Sequence, residues 1–252
     1  MRRTQWTRGV TVLVAVTLAA GCGAAAQTGS ATPAPAPATT AAPAADPLEQ
    51  LVAASEATLS ARSARFTLNM EVTGGGSSFT FLEASGSTDF DAQIMDTEMS
   101  VAQQPGAPVE TRRAIVIGGT VYLQPVGYDR WFSADANALG MAQGNPAEQI
   151  KQFRDAAKDV RDAGTAEING RTLKHYQLTL NPRPESTGSA VPPPGGFPAD
   201  LYLDDQGRFA RIESKTPGPN QATMLMTMEL SDYGIPVSVQ APDPGLVDPM
   251  PR

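Results

Sequence analysis

The chain has 252 residues, a formal net charge of −7, and a single cysteine and a single histidine. An acidic balance of this kind disfavours nucleic-acid binding, which depends on clustered lysine and arginine. One cysteine excludes an intramolecular disulfide framework and cysteine-based metal sites.

The first 21 residues have the composition of an export signal. Arg2, Arg3 and Arg8 precede an apolar run from Val10 to Ala20. A charged start followed by a short apolar stretch is typical of a secretory signal peptide. The run is too short to cross the hydrocarbon core of a bilayer as a permanent helix. We therefore predict that residues 1–21 are a signal peptide.

Cys22 directly follows that run, in the sequence Leu-Ala-Ala-Gly-Cys. This segment resembles a bacterial lipobox. The resemblance implies cleavage before Cys22 and attachment of a lipid anchor, with acyl chains such as palmitate, to the new N-terminus. The chain would then be held by its lipid on the extracytoplasmic face of the cell membrane. Ordinary secretory cleavage after Ala20 or Ala24 is the alternative.

Residues 22–46 are rich in alanine, proline and threonine and contain almost no large apolar side chain. Such a segment cannot bury enough surface to offset its ordering entropy, and Pro-Ala alternation favours an extended chain. We interpret it as a disordered stalk. Residues 47–239 form the predicted folded domain, and residues 240–252 form a proline-rich tail.

A first helix is predicted directly after the stalk. Asp46 is placed to cap it, and Pro47 suits its first turn. The residues spaced to form its buried stripe are Leu48, Leu51, Val52, Ser55 and Leu59.

Alternation with a period of two then predicts half-buried strands. The first strand carries Phe66, Leu68, Met70 and Val72 on one face. On the second strand, Phe79 and Phe81 are predicted on one face, with Leu82 and Ala84 on the other. A third strand is predicted to begin at Phe90, with a bulge near Ile94.

The middle of the chain predicts a hairpin around Gly118-Gly119-Thr120 and a short strand at Trp131-Phe132. A second helix is predicted from Ala147 to Ala163, opened by Pro146 and closed by Gly164.

Five more strands are predicted after this helix. Asn169-Gly170 is a two-residue hairpin turn between the first two of them. The last strand, from Gln221 to Leu230, places Met224, Met226 and Met228 on one face. The order of elements predicts an α+β domain, with one large antiparallel sheet and helices packed on one side.

Four segments together resemble a known family. They are Ser60-Ala61-Arg62-Ser63, Gly118 to Tyr122 followed by Trp131, Asp200 to Arg208 running into Arg211-Ile212, and Leu230 to Val237 with Pro242. In this order, behind a lipobox, they resemble actinobacterial lipoproteins of the LppX, LprG, LprA and LprF type. The resemblance implies a LolA-like fold, a strongly curved antiparallel half-barrel with helices packed on its concave face.

The same resemblance implies a function without catalysis. We expect a lipid-anchored protein that binds or transports an acylated lipid or lipoglycan in an apolar cavity. No enzymatic activity, cofactor or nucleic-acid partner is expected, and the membrane is contacted through the lipid anchor. The alternative is an envelope sensor or protein-interaction module that has a packed interior and no lipid cargo.

Apolar side chains on the predicted sheet are the candidate lining of such a cavity. Methionine is flexible and suits an adaptable apolar surface. The same side chains could instead fill an ordinary core, so the sequence leaves this choice open. The candidates are Phe66, Leu68, Met70, Phe79, Phe81, Met224, Met226 and Met228.

The polar residues that are candidates for catalysis or metal binding do not form a recognisable catalytic or metal site. His175 alternates with Tyr176 on a strand and is predicted to face solvent or a loop, without a second histidine to share a metal. No Gly-x-Ser-x-Gly elbow is present. Asp204-Asp205, followed by Gln-Gly, predicts a hairpin turn rather than a calcium loop. We therefore predict neither catalytic nor metal-binding residues.

Overall fold

The computed structural model describes residues 46–125, 127–136, 146–181, 195–217 and 222–250. The predicted signal peptide, Cys22 and the stalk up to residue 45 lie outside the described residues. All of the described residues belong to one unit, residues 44–252.

The described elements are two α-helices, a short 3₁₀ helix and the strands of one sheet. The helices are α1 (Pro47–Ser60) and α2 (Pro146–Ala156), and the 3₁₀ helix is Pro244–Leu246. The strands are β1 (Ser63–Gly74), β2 (Ser77–Asp89), β3 (Ile94–Val101), β4 (Glu110–Ile117), β5 (Thr120–Pro125), β6 (Trp131–Asp135), β7 (Ala157–Ile168), β8 (Arg171–Leu180), β9 (Phe197–Leu203), β10 (Phe209–Pro217), β11 (Thr223–Ser231) and β12 (Val247–Pro249).

Two antiparallel meanders make up the sheet. The strand order is β12-β6-β5-β4-β3-β2-β1-β11-β10-β9-β8-β7. One meander runs from β1 to β6 and the other from β7 to β11, and they join where β1 pairs with β11. Only β12 among the described strands is parallel to its neighbour. The sheet is curved and open, which confirms the predicted α+β class with a large antiparallel sheet.

Helix α1 begins as the sequence predicts, but its buried face overlaps the predicted stripe only in part. The backbone N–H of Leu48 donates to the Asp46 carboxylate at 2.9 Å, so Asp46 caps the helix. Two members of the predicted stripe, Leu48 and Val52, are 46% and 37% exposed. The buried residues are Leu51 and Ser55 of the predicted stripe, together with Ala54 and Thr58. The buried face is therefore rotated toward Thr58, whose hydroxyl bonds to the backbone of β10, as described below.

The second helix ends earlier than predicted, at Ala156 instead of Ala163. From Ala157 onward the chain is strand β7, in which Ala157 lies opposite Leu180 of β8. The backbone N–H of Asn181 donates to the carbonyl of Ala156 at 2.8 Å, directly at the change. Pairing with β8 therefore overrides the helical pattern of this segment, as tertiary contacts often do.

Strand β7 is an edge strand of the sheet and carries many charges. Lys158, Asp159, Arg161 and Asp162 are all exposed. Charged side chains on an edge strand discourage pairing with other chains. These charges thus lie on an exposed strand, within the range that the sequence predicts to be helical.

The predicted faces of the second strand are wrong for Phe79. The register between β1 and β2 shifts after Met70, which lies opposite Leu82, so that Val72 lies opposite Phe79. Residues directly opposite each other in an antiparallel pair share a face. Phe79 therefore lies on the same face as Leu82, and Phe81 occupies the irregular position between them.

The third strand begins at Ile94 and not at Phe90. The chain between them is a turn, in which the Asp89 carboxylate accepts hydrogen bonds from the N–H groups of Asp91 and Ala92 at 3.0 and 2.8 Å. Aspartate commonly closes turns in this way. The turn takes the place of the bulge predicted near Ile94.

Both predicted two-residue turns are confirmed. Ile117 pairs with Thr120 around Gly118-Gly119. Ile168 pairs with Arg171 around Asn169-Gly170, whose φ angles are 52° and 73°. Positive φ at both central positions is the requirement that the Asn-Gly sequence meets.

The C-terminal segment contributes an edge strand to the sheet. Strand β12 lies within the residues that composition assigns to the proline-rich tail, and it pairs with β6. The guanidinium of Arg130 donates to both carboxylate oxygens of Asp248 at 2.5 and 2.6 Å, which fixes β12 beside β6. This hydrogen bonding raises the pKa of Arg130 and lowers the pKa of Asp248. A sequence rich in proline can still supply three residues of edge pairing.

Strands β2 and β3 approach each other so closely at Gly86 that the position has no room for a side chain. A Cβ atom at Gly86 would lie 2.0 Å from the carbonyl oxygen of Asp96 on β3. We predict that Gly86→Ala lowers the free energy of unfolding by about 1–3 kcal/mol, because the backbone of β2 or β3 must shift. Urea unfolding followed by circular dichroism measures the change.

The matched control is Ser78→Ala, at an exposed position of the same strand. It should change the free energy of unfolding by no more than about 0.5 kcal/mol. Equal midpoints for the two variants would show that the close approach at Gly86 is not a real constraint.

Candidate functional site

One face of the sheet carries consecutive apolar rows across β2, β1 and β11. Leu68 lies opposite Met228, Met70 opposite Met226, and Val72 opposite Met224. On its other side, β1 places these three residues opposite Ala84, Leu82 and Phe79. The pairing of β1 with β11 thus brings the methionine stripe beside the first predicted apolar strand.

The first part of this face is ordinary core. Phe66 and Met228 are only 7% and 5% exposed, and they share one buried cluster with Leu51 of α1 and Phe153 of α2. Leu68 is partly buried and packs against the same cluster. Of the eight predicted candidates, Phe66 and Met228 therefore belong to the core beneath the helices, and Leu68 lies at its border.

The apolar face continues beyond that cluster. We call this continuation the apolar extension. In the described part of the chain, its residues are half-buried and are not members of the core cluster. The main described contacts of α1 and α2 with the sheet are at β7, β8 and β10, away from the extension. The extension consists of Met70, Val72, Phe79, Leu82, Met224 and Met226.

The structure thus divides the predicted candidates into three groups. Met70, Phe79, Met224 and Met226 come together in the apolar extension, while Phe66, Leu68 and Met228 lie at the core. Phe81 is half-buried beside the register shift. Val72 and Leu82 join the extension although they were not candidates, and their apolar character together with the register is the signal that identifies them.

A buried hydroxyl attaches helix α1 to the sheet. The Thr58 hydroxyl donates to the carbonyl of Ala54 at 2.7 Å and accepts the backbone N–H of Phe209 at 2.8 Å. The carbonyl of Phe209 accepts a hydrogen bond from the Tyr233 hydroxyl. Burial raises the pKa of Tyr233 far above its ordinary value, so this phenol stays protonated. These bonds hold α1 over the apolar face.

A second polar contact holds the start of α1 against β8. The Lys174 ammonium donates to the Gln50 side-chain carbonyl at 3.0 Å, and the Tyr176 hydroxyl donates to the same oxygen. A hydrogen bond with Tyr176 raises the pKa of Lys174. The helix is therefore fixed at both of its ends.

Two buried hydroxyls have no hydrogen-bond partner within the described part of the chain. They are Ser55 Oγ on α1 and Thr97 Oγ1 on β3. Thr97 lies opposite Gly86, which lies opposite Phe66, so its side chain belongs to the apolar face. Unpaired buried hydroxyls are uncommon and call for an explanation.

The opposite face of the sheet is polar and contains His175. The ring Nε2 of His175 lies 2.7 Å from the Asp200 carboxylate, and the ring stacks on Tyr202 with centroids 4.6 Å apart. Its side chain is only 16% exposed. The prediction that His175 faces solvent or a loop is therefore wrong, because Asp200 and Tyr202 of the neighbouring strand cover the ring.

The Asp204 segment is the hairpin turn that the sequence predicts. The buried Asp204 carboxylate accepts the backbone N–H groups of Gln206 and Arg208 at 3.0 and 2.8 Å. It also pairs with the Arg208 guanidinium, which lies 4.2 Å from the centre of the Tyr233 ring. Within the described ranges, no group of three or more His, Cys, Asp and Glu side chains is placed to hold a metal ion.

Neither described helix has both the length and the apolar character that crossing a membrane requires.

Two solved structures share the fold. The lipoprotein LppX from Mycobacterium tuberculosis superposes with a TM-score of 0.51 at 15% sequence identity, covering 77% of this chain and 98% of LppX. LprF from Mycobacterium bovis superposes with a TM-score of 0.50 at 16% identity, covering 78% of this chain and 96% of LprF. No protein-family model matches the chain, and no curated protein matches it. The chain thus shares the fold of LppX and LprF, two of the proteins that the sequence resemblance named.

The attachment of α1 generates a test. Thr58→Val keeps the shape of the side chain but leaves the buried N–H of Phe209 without its acceptor. We predict a loss of about 1–3 kcal/mol in the free energy of unfolding. Thr73→Val, at an exposed position of β1, is the control and should be nearly neutral. Equal effects of both variants in chemical unfolding would refute the role of Thr58.

Proposed function

We propose that the protein is a lipid-anchored lipoprotein on the extracytoplasmic face of the cell membrane, which binds or transports an acylated lipid or lipoglycan without catalysis. One observation carries the proposal: the apolar face of the sheet continues beyond the core as the apolar extension. A sheet surface of this kind, beside helices attached at a few points, is a suitable wall for an acyl chain.

The energetic argument rests on burial. Each methylene group removed from water contributes about 0.8 kcal/mol, so a long acyl chain can bind through the extension without directional bonds. Met70, Met224 and Met226 supply flexible side chains that adapt to a mobile ligand. This chemistry recognises the chain of the lipid and leaves the headgroup unspecified.

The arrangement of the helices supports the same proposal. Ile150 and Phe153 of α2 belong to one cluster with Phe66 and Ile212 of the sheet, so the helices pack on the face that carries the apolar extension. We propose that this is the concave face of the curved sheet. The ligand would then lie along the extension, at the border of the helices, and movement of the helices would control its entry.

The two unpaired hydroxyls fit this picture. Ser55 is on the buried side of α1 and Thr97 is on the apolar face of the sheet. If α1 moved away from the sheet, these hydroxyls could donate to an ester carbonyl of a bound lipid. Lipid binding would thereby satisfy groups that are otherwise costly to bury.

The structural neighbours support the envelope location. LppX is named as a lipoprotein. A lipobox-like segment ending at Cys22 is the corresponding feature of this chain. We propose that Cys22 is lipidated and that the stalk holds the domain at a distance from the membrane.

The apolar extension is tested by a charge at its centre. Met226→Lys would place an ammonium group against the acyl chain, which is costly in an apolar site. We expect the fraction of protein that carries lipid to fall at least roughly tenfold, a loss of about 1.4 kcal/mol or more in binding. Native mass spectrometry of the chain purified from its host measures this fraction.

Met226→Leu is the matched control, because it keeps the apolar volume. It should retain the lipid. If wild-type protein carries no lipid, or if Met226→Lys lowers the melting temperature while the lipid fraction stays the same, the interior is packed. The sensor or protein-interaction module would then be the better account.

The anchor is tested separately. Cys22→Ala removes the only thiol in the chain, so we expect the protein to leave the membrane fraction for the soluble fraction of fractionated cells. Ser30→Ala, in the same predicted stalk, is the control and should remain with the membrane. Unchanged membrane association of Cys22→Ala would show that the lipobox interpretation is wrong.

A further inference from the structure

The polar face of the sheet contains a hollow of about 720 Å³. It is behind the apolar rows, because Thr67 and Glu229 alternate along β1 and β11 with Phe66 and Met228. Its volume lies within the range of about 300–1,000 Å³ that is usual for sites of small molecules. The function proposed above does not use this hollow.

A single row of polar side chains crosses the floor of the hollow on six neighbouring strands. The strand registers place each member directly opposite the next, and all six line the hollow. An arginine lies at each end of the row, a glutamate lies next to each arginine, and two hydroxyl side chains lie at the centre. In order from β4 to β10, the row is Arg113, Glu98, Ser85, Thr67, Glu229 and Arg211.

Charges in and around the hollow are balanced. Arg113 donates two hydrogen bonds to Asp96 at 3.0 and 2.9 Å. Arg211 pairs with Glu229, and Arg65 pairs with Asp232 at 3.2 Å. Arg171 also lines the hollow, so the four arginines there are matched by four carboxylates, those of Asp96, Glu98, Glu229 and Asp232. An anionic ligand would meet a carboxylate beside three of these arginines, and a cationic ligand would meet an arginine beside three of the carboxylates. The electrostatics therefore favour a neutral ligand.

The hydrogen-bonding capacity that remains is large. A guanidinium has five N–H donors and a carboxylate has about four acceptor positions, so an ion pair leaves both partners able to bind more groups. Vicinal hydroxyls on a ligand can donate to a carboxylate while they accept from a guanidinium. Ser85 and Thr67 can do both at the centre of the row. Donors and acceptors at these spacings suit a molecule with many hydroxyl groups.

The β7–β8 hairpin supplies an apolar wall. Ile168 and Leu173 line the hollow beside Ala210 of β10, and Asn169 lies at the hairpin turn. Ile168, Leu173 and Ala210 form part of a small apolar cluster with Tyr202, separate from the main core. The C–H face of a sugar ring packs well on aliphatic side chains, while its hydroxyls point to the polar floor.

We propose that this hollow is a binding site for a neutral saccharide of one or a few units. The saccharide is either free or the glycan headgroup of a lipid. The site is independent of the apolar extension, because it lies on the other face of the sheet.

Thr67→Trp tests the proposal by filling the centre of the row. The full chain, purified in a detergent without a sugar headgroup, is titrated with maltose, cellobiose and trehalose. Binding is followed by saturation-transfer NMR and by the amide signals of Thr67 and Ser85. We expect at least one disaccharide to bind the wild type, and Thr67→Trp to weaken that binding at least roughly tenfold. Absence of binding by all three would overturn the proposal.

Thr73→Trp is the matched control, since Thr73 is exposed on the same face of the same strand but outside the hollow. It should bind like the wild type. If Thr67→Trp does not fold, Ser85→Tyr replaces it, with Ser78→Tyr as its control on β2. Equal weakening by a variant and its control would contradict a saccharide site in the hollow.

Two further comparisons make the test specific. Glucose 6-phosphate binding there more tightly than glucose would overturn the neutral character of the ligand. Hexyl maltoside is compared with maltose at the signals of the hollow. If hexyl maltoside binds as tightly as maltose or more tightly, the site is assigned to a glycolipid headgroup. If it binds more weakly, the site is assigned to a free saccharide; both results support the site.

The lipid fraction in native mass spectrometry should be the same for Thr67→Trp as for the wild type, which separates this proposal from the lipid-carrier function.

Discussion

The pairing of β1 with β11 is the contact on which the rest of the structure depends. It is the strand pairing that joins the two meanders, and it runs from Arg65 opposite Ser231 to Thr73 opposite Thr223. The cost of closing so long a loop rises only slowly with its length, so nine consecutive paired positions can offset it. This register places the methionine stripe of β11 beside the apolar face of β1.

The same register determines both faces of the sheet. Side chains alternate along a strand, so each paired position sends one row to the helices and the next to the other side. Met70 and Met226 form part of the apolar extension, while Thr67 and Glu229 belong to the polar row. A shift by one residue would exchange the two faces, which makes the register costly to change. The proposed lipid-carrier function and the proposed saccharide site thus both depend on this one pairing.

Local patterns predicted much of the fold. Alternation identified β1 and β11, Asn-Gly and Gly-Gly identified the hairpins, and Asp46-Pro47 identified the start of α1. The errors occurred where a partner distant in sequence decides the outcome. Residues 157–163 have a helical pattern but pair with β8, and the position of Phe79 depends on a register shift against β1.

The candidate site could likewise be predicted only as far as local sequence patterns determine it. Alternation selected the apolar residues, but it could not separate Phe66 and Met228 in the core from Met70 and Met226 beyond it. That division depends on where the helices pack, and the bond of Thr58 to the backbone of Phe209 is one of the contacts that place α1. Local sequence patterns could not predict the polar row, because its six residues come from six different strands.

The central claim is that an acyl chain contacts the apolar extension. Its most direct test is NMR of the chain with labelled methionine methyl groups and a bound saturated phospholipid. The account predicts intermolecular nuclear Overhauser effects from acyl methylenes to the methyl groups of Met70, Met224 and Met226, and none to Met250 beside β12. Effects that are absent from all three residues, or equally strong at Met250, would contradict it.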